Sequence, residues 1–211
     1  MERPGNIRRT EIAAVLFTAI GKFLFMDYLN MKLPFIVFCI SFWTIYILRR
    51  LKRENGILKH WGFQKANFKQ SLKLVLPFAL SAVALCFGIG FWNDSINLQW
   101  HMLILFALYP IWGTFQHFLC IALFSANIRD MKEKTLKRGF IYLLSAGLFG
   151  LIHFPDQWLM LGTFFLALFY NYIYFKERNL YILGIFHGVL GALFYYTVVG
   201  RDPFMEVFGN L

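Results

Sequence analysis

The chain of 211 residues is 59% hydrophobic and 20% aromatic, and only 15% of its residues are charged. Such a composition excludes an ordinary soluble domain of this length and is typical of an integral membrane protein. The net charge of +10 would suit nucleic acid, but the basic residues are divided among short loops, where anionic lipid attracts them. We therefore predict an all-α protein embedded in the lipid bilayer, without a nucleic-acid partner.

Apolar runs that approach the roughly 20 residues needed for a membrane-spanning helix recur along the whole chain. They predict a polytopic transmembrane helical bundle of about seven spans, which forms a single domain over residues 1–211. The second and fifth runs are short. In chain order, the predicted spans cover residues 11–29, 33–48, 74–92, 101–125, 139–154, 157–175 and 179–199.

The basic residues are distributed unevenly between the two sides of this predicted bundle. Lysine and arginine accumulate in the short cytoplasmic loops of membrane proteins. If the N-terminus is inside, eighteen of the 21 basic residues lie on the inner side, among them Arg3, Lys132 and Lys134, and only Lys32 and Arg201 lie outside. The charges predict an inner N-terminus and an outer C-terminus, and the short loops favour a bacterial cytoplasmic membrane.

Three histidines lie within the fourth, fifth and seventh predicted spans, at His117, His153 and His187. An ionisable side chain at bilayer depth is costly unless it faces a cavity or a partner, so it indicates a functional site by default. The alternative is a buried imidazole that hydrogen-bonds a neighbouring helix. Both interpretations stay open for each histidine at this point.

The segments around these histidines have a recognisable order and spacing. Gln116 and His117 come first, Phe149 and His153 form an FxxxH pattern on the next span, and His187 lies on a later one. Over residues 100–199 this arrangement resembles the CPBP family of intramembrane proteases, which includes CAAX proteases and bacteriocin-processing enzymes and carries EExxxR, FxxxH and HxxxN motifs. The resemblance implies an endopeptidase that acts on membrane-bound or lipidated peptide substrates.

The first motif departs from the family pattern. Gln116 and His117 stand where the family has two glutamates, Ile121 replaces the arginine, and Gly191 replaces the asparagine four residues after His187. The carboxylate that would activate water is missing. A glutamine amide cannot replace it as a general base near neutral pH, because the amide does not accept a proton there.

Two functions remain compatible with these departures. In an active peptidase, as the resemblance implies, Gln116 and His117 hold the catalytic water, while His153 and His187 orient it or stabilise the oxyanion. Loss of the catalytic glutamates favours instead a catalytically inactive membrane scaffold or an immunity-type binding protein.

A metal site would supply the missing activation of water. Three neutral imidazoles with an open fourth position are a familiar ligand set for zinc, and bound zinc lowers the pKa of water to about 7 without a carboxylate base. Since His117 replaces an acid at a motif position, we hypothesise a zinc site formed by His117, His153 and His187.

Neighbouring residues are predicted to have structural roles. Asp156 follows His153 closely, but Pro155 disfavours a regular helix there, so we expect Asp156 to cap the next span. Gly184, Gly188 and Gly191 lie on neighbouring turns of the last span, which predicts close helix packing of the small-xxx-small kind.

Overall fold

The structure is a computed structural model that describes residues 5–131 and 136–208. Arg3, Lys132 and Lys134, which contribute to the predicted charge asymmetry, lie outside these residues. Throughout the described ranges, the regular elements are all helical, which confirms the all-α class. In chain order they are α1 (Gly5–Gly21), α2 (Lys32–Arg53), α3 (Ile57–Trp61), α4 (Phe68–Trp92), α5 (His101–His117), α6 (Ala126–Asp130), α7 (Arg138–Leu151), α8 (Gln157–Lys176), α9 (Leu180–Phe194) and α10 (Pro203–Phe208).

Three of these helices continue into π-helical turns. Lys22–Tyr28 extends α1, Phe118–Ser125 joins α5 to α6, and Tyr195–Val199 extends α9. Such turns are wider than α-helical ones and often occur at functional sites. The second of them begins directly after His117.

Within residues 5–131 and 136–208, five helical segments are long and apolar enough to cross a membrane. Helix α7 is a shorter apolar helix, and the α1 region is helical but is not among the five. Helices therefore occur at all the predicted spans, while the count of seven and the orientation of the termini stay predictions. The five segments are Lys32–Arg53, Phe68–Trp92, His101–Asp130, Gln157–Lys176 and Leu180–Val199.

One predicted boundary is wrong in a way that matters for the site. The fifth span was expected to cover residues 139–154, but α7 ends at Leu151 and His153 lies in the turn that follows. Pro155 provides the physical reason, because proline has no backbone N–H and disfavours a helical conformation at the residue before it.

The contacts divide the chain into two compact units, each built from two separate stretches. The first unit comprises Met1–Phe63 and Leu119–Tyr172. In it, buried polar groups link the segments: Ser145 Oγ donates to the Cys120 carbonyl over 3.2 Å, and Asn171 Nδ2 donates to Ser145 Oγ over 3.0 Å. Such side-chain hydrogen bonds commonly join helices within membranes.

The second unit comprises Gln64–Phe118 and Ile173–Leu211. Helix α9 is its central element and packs against both α4 and α5. Asn179 caps α9, because its side-chain oxygen accepts from the Ile182 N–H over 3.1 Å. Its amide group also donates to Asn67 Oδ1 over 2.9 Å, so the start of α9 is tied to the segment before α4.

Candidate functional site

Helices α5 and α9 approach each other closely because glycine occupies the contact points. A methyl group at Gly184 would come within 2.8 Å of Thr114 Cβ, and one at Gly188 would come within 2.6 Å of the ring carbon Cγ of Pro110. Real methyl groups are essentially never found so close to another heavy atom. The packing predicted for Gly184 and Gly188 is therefore confirmed.

The same close approach brings His117 and His187 into contact. His117 Nε2 and His187 Nδ1 lie 3.0 Å apart, at hydrogen-bonding distance, with the two rings inclined by 76°. The His117 residue is fully buried and His187 is 7% exposed. Gly113 makes room for the pair, since a methyl group there would lie 2.5 Å from His187 Cδ2.

This hydrogen bond restricts the chemistry of the two imidazoles. One ring must donate its N–H and the other must accept with a lone pair. When both rings are neutral, one of the two outer nitrogens, His117 Nδ1 or His187 Nε2, then carries a lone pair and the other carries a hydrogen. The pair can therefore accept a proton at one end and donate one at the other.

Gly191 leaves space beside the outer nitrogen of His187. A methyl group at Gly191 would lie 3.8 Å from His187 Nε2 and 3.7 Å from Tyr109 Cδ2, which are ordinary contact distances. We predicted close helix packing at Gly184, Gly188 and Gly191. Gly191 is not required for that packing, so the prediction is wrong at this position. The position that holds asparagine in the HxxxN motif faces the imidazole of the same motif.

Gln116 lies half-buried on α5, directly before His117. Its side-chain oxygen Oε1 is buried, and no hydrogen-bond donor among residues 5–131 and 136–208 reaches it. Buried acceptors in proteins are nearly always hydrogen-bonded, often to an ordered water. The Gln116 oxygen is therefore a position at which a water molecule is expected.

His153 lies in the first unit, where its surroundings also define its protonation. Its Nδ1 lies 2.7 Å from the Phe149 carbonyl oxygen and 3.2 Å from Thr163 Oγ1. A carbonyl oxygen can only accept, so Nδ1 carries the hydrogen of the neutral ring and Nε2 carries the lone pair. The FxxxH spacing has a local meaning here, because Phe149 holds the imidazole through its carbonyl and through an edge-on ring contact.

Residues next to His153 hold the turn in place. Asp156 Oδ1 accepts from the Leu159 N–H over 2.9 Å at the start of α8, which confirms the predicted cap. Lys22 Nζ donates to the Phe154 carbonyl over 2.9 Å and pairs with Asp27 over 2.6 Å. The sequence did not indicate the Lys22 contact, since it joins positions 132 residues apart.

The predicted site residues are thus distributed over both units. Gln116, His117 and His187 belong to the second unit, and His153 belongs to the first. In the part of the chain that the structure describes, no group of three or more His, Cys, Asp or Glu side chains is arranged to hold a metal ion. The zinc ligand set stays a prediction, and binding at His117 Nε2 or His187 Nδ1 would replace the hydrogen bond between them.

A buried carboxylate that sequence reasoning missed lies in the first unit. Glu11 is 2% exposed; it accepts a hydrogen bond from Tyr46 and another from Asn127 Nδ2 over 2.5 Å, and it lies 3.5 Å from the Arg50 guanidinium. The available signal was a lone acidic residue at the start of an apolar run. Its partners, on other helices, have no recognisable spacing from it.

Comparison with known proteins supports the family resemblance over part of the chain. Residues 120–193 match the family model of the type II CAAX prenyl endopeptidase Rce1-like proteins. The match contains Phe149, His153 and His187 and begins three residues after His117. No curated protein and no solved structure matches the chain significantly. Over about a third of its length, therefore, the chain is similar to the Rce1-like family model, which is consistent with the resemblance to the CPBP proteases.

Proposed function

We propose that this protein is a membrane-embedded endopeptidase that cleaves membrane-associated, lipidated peptides of the prenylated CAAX type. The buried hydrogen-bonded pair of His117 and His187 is the observation on which the proposal depends. These residues stand at a glutamate position and at the histidine position of two family motifs. An imidazole can act as a general base near neutral pH, which a glutamine amide cannot.

The proposed reaction uses the two ends of the imidazole pair. Water bound to the Gln116 oxygen gives a proton to the outer nitrogen that carries a lone pair, and its oxygen attacks the carbonyl carbon of the scissile peptide bond. The oxyanion is stabilised by an N–H donor, for which the opposite end of the pair is a candidate. The proton then passes to the leaving amine as the C–N bond breaks, and a carboxylate and an amine are released.

His153 retains its proposed role through the FxxxH motif. Its Nε2 lone pair can accept a hydrogen bond from water or can bind a metal, because Nδ1 is directed to the Phe149 carbonyl. The role in orienting water or stabilising the oxyanion is carried over from the family. Replacing His153 tests that role separately from the contact between His117 and His187.

Cleavage of a prenylated CAAX peptide by the purified protein in liposomes is the direct test. We expect release of the C-terminal tripeptide by the wild type and a loss of at least about 100-fold in His117→Ala and His187→Ala, as for other general bases. His60→Ala is the matched control, because His60 lies on the short helix α3 and outside the motifs. Equal rates in all four proteins would contradict the proposal.

Zinc is a second way in which the site would activate water. We propose His117, His153 and His187 as its ligands, since zinc bound by three imidazoles lowers the pKa of a bound water. Metal analysis of the purified protein tests this directly. About one zinc per chain, lost in each of the three alanine variants, is the expected result, and absence of zinc from the wild type would refute it.

A binding protein without catalytic activity is the alternative function. Three motif positions favour it. Gln116 is not acidic, Ile121 carries no charge, and Gly191 has no polar side chain. Such a protein would bind the lipidated peptide with unchanged affinity in His187→Ala and would release no product. Measuring binding and cleavage on the same samples separates the two functions.

The proposed topology has seven spans, with the N-terminus in the cytoplasm and the C-terminus outside. The basic residues at the end of α2 and at the start of α4 support it, since positive charge marks the cytoplasmic side. Single cysteines introduced at Lys65 and at Arg201 test it in a bacterial cytoplasmic membrane. An impermeant thiol reagent should label position 201 and leave position 65 unlabelled in intact cells.

A further inference from the structure

The first unit contains a cleft between α1 and α2 with a volume of about 310 Å³. Apolar side chains form much of its wall: Ile7 and Ala14 from α1, and Phe42 and Trp43 from α2. On α1, Ile7 and Ala14 lie two turns apart, and on α2 the lining residues from Trp43 to Arg53 recur every three or four positions, so each helix contributes one face. The cleft lies within a single unit and does not involve the histidines.

Polar side chains line the cleft along α1, at Asn6, Thr10 and Glu11, and toward the C-terminal end of α2. Glu11 is held by Tyr46, Asn127 and Arg50, and Arg50 in turn pairs with Glu54. These contacts compensate the buried carboxylate, because a buried charge is tolerated only when it is paired and hydrogen-bonded. Glu11 is therefore part of the frame of the cleft and is not its ligand-binding group.

Positive charge surrounds the same end. Arg53 lines the cleft and is exposed, and Arg50 lines it from a buried position. Arg49 and Lys52 precede them within the last turns of α2, and Arg9 lies in the first turns of α1. Residues from the first turns of α1 and from the last turns of α2 line the same cleft, so these turns lie at the same end of the two helices. An anionic group would be attracted to it.

The dimensions of the cleft match one leaflet of a bilayer. Phe42 and Arg53 are separated by eleven residues, which corresponds to about 16 Å along a helix. Half of the hydrocarbon core of a membrane is about 15 Å thick. The volume would accommodate on the order of ten water molecules, but the part of the cleft that Ala14, Phe42 and Trp43 line offers water few hydrogen bonds. A chain of methylene groups is a better occupant of such walls.

We propose that the cleft between α1 and α2 binds an anionic phospholipid, with one acyl chain along Ala14, Phe42 and Trp43 and the phosphate at the exposed Arg53. Arginine suits this position, because its planar guanidinium recognises phosphate through two parallel hydrogen bonds. The acyl chain distinguishes this ligand from free phosphate, and the basic end distinguishes it from a zwitterionic lipid. The proposal does not depend on peptidase activity.

Quenching of Trp43 fluorescence by phospholipids with brominated acyl chains tests the proposal. The protein is reconstituted in nanodiscs that contain either brominated phosphatidylglycerol or brominated phosphatidylcholine. The chain has six tryptophans, so the signal of Trp43 is the difference between the wild type and Trp43→Phe. We expect the anionic lipid to reach half-maximal quenching at a mole fraction about fivefold lower than the zwitterionic lipid needs. A single contact with a basic residue provides a preference of about this size.

Two surface variants supply the matched comparison. Arg53→Ala should abolish the preference for the anionic lipid, whereas Lys52→Ala should retain it, because Lys52 is adjacent and exposed but does not line the cleft. Both side chains are exposed, so neither change should unfold the protein. Equal quenching by the two lipids in the wild type, or an unchanged preference in Arg53→Ala, would overturn the proposal.

Two further outcomes identify other occupants. If millimolar inorganic phosphate abolishes the lipid preference, a free anion and not a phospholipid binds the arginines, and the proposal is wrong. If neither brominated lipid quenches Trp43, the cleft is closed to lipid, and the proposal is equally wrong. Quenching that persists in phosphate and favours the anionic lipid supports it.

Discussion

Helices α5 and α9 touch through glycine, whereas α1 and α2 leave a cleft between them. In the first pair, Gly184 and Gly188 allow α9 to lie directly on Pro110 and Thr114. In the second pair, bulky side chains such as Phe42 face the gap. In the most apolar stretch of the span that contains α9, 61% of the residues are buried, whereas in that of α2 only 17% are.

The two regions also satisfy their buried polar groups differently. The tight pair buries two imidazoles that hydrogen-bond each other and can both be neutral. The open pair buries Glu11, which is compensated by Arg50 and by neutral donors. The closely packed pair thus buries neutral groups that can exchange protons, whereas the open pair buries a carboxylate that an arginine and neutral donors compensate.

The largest expected effect comes from the charge network of the open pair. Glu11→Ala removes the acceptor of Tyr46 and Asn127 and leaves Arg50 without one of its carboxylate partners. Breaking a buried ion pair in this way costs about 3 to 5 kcal/mol of unfolding free energy. Unfolding by SDS titration in mixed micelles measures it, with Glu11→Gln as the control that keeps the shape. A loss below about 1 kcal/mol would mean that the network does not hold the α1–α2 region.

The next effect comes from the tight pair. In Gly188→Ala, the added methyl group meets the rigid ring of Pro110, so the helices must separate. We expect a loss of about 3 kcal/mol, at the upper end for an overpacked core. Gly191→Ala is the control, three residues away on the same helix, where the methyl group meets only ordinary contact distances. Equal losses in both variants would disprove the asymmetry between these glycines.

A smaller effect is expected where Asp202 joins the ends of α5 and α9 outside the spanning segments. Asp202 accepts hydrogen bonds from His101 over 2.5 Å and from Tyr196 over 2.7 Å, and it caps α10. Burial raises the pKa of Asp202, but the hydrogen bonds from Tyr196 and His101 outweigh burial, and the pKa is lowered overall. Asp202→Ala should cost about 1 kcal/mol, the usual value of a helix cap.

The pH dependence of that contribution follows from the direction of the shift. Because the pKa of Asp202 is lower in the folded state, its stabilisation is complete above the unfolded pKa of about 3.9. It is lost as the pH falls through the folded pKa. The difference in unfolding free energy between wild type and Asp202→Ala should therefore be constant from pH 7 to about 5 and decline below about 4. A difference that grows on acidification would contradict this assignment.

The smallest stability effect is expected at the open position beside His187. Gly191→Asn restores the asparagine of the HxxxN pattern at a position where the first side-chain carbon makes only ordinary contacts, so the unfolding free energy should change by less than about 0.5 kcal/mol. The same SDS titration measures it. A loss as large as that of Gly188→Ala would show that α9 has no free space at Gly191.

Local patterns account for the contacts that surround His153. The FxxxH spacing brings the Phe149 carbonyl to His153, because residues four apart meet on a helix and its following turn. Asp156 was likewise predicted to cap the next helix, and it does so. Such features depend on neighbours within four residues, so they can be inferred from the chain alone.

Contacts between distant segments of the chain were harder to predict from the sequence. The hydrogen bond between His117 and His187 joins positions 70 residues apart, and the one between Asn127 and Glu11 joins positions 116 apart. The sequence led us to hypothesise a site formed by the histidines, but it did not indicate that two of them hydrogen-bond each other directly. The role of Glu11 was missed, because a lone acidic residue has no periodic pattern that would identify its partners.

The apolar composition, the helical class and the positions of the helices were determined by the sequence itself. Burial of apolar residues and hydrogen bonding of the backbone within each segment are local requirements in a bilayer, so they can be recognised in the residue pattern. Only the tertiary structure decided which glycines lie at a helix contact, which imidazoles share a hydrogen bond and where a cleft remains. Those outcomes depend on how the side chains of different helices fit together, and no single segment of the sequence contains that information.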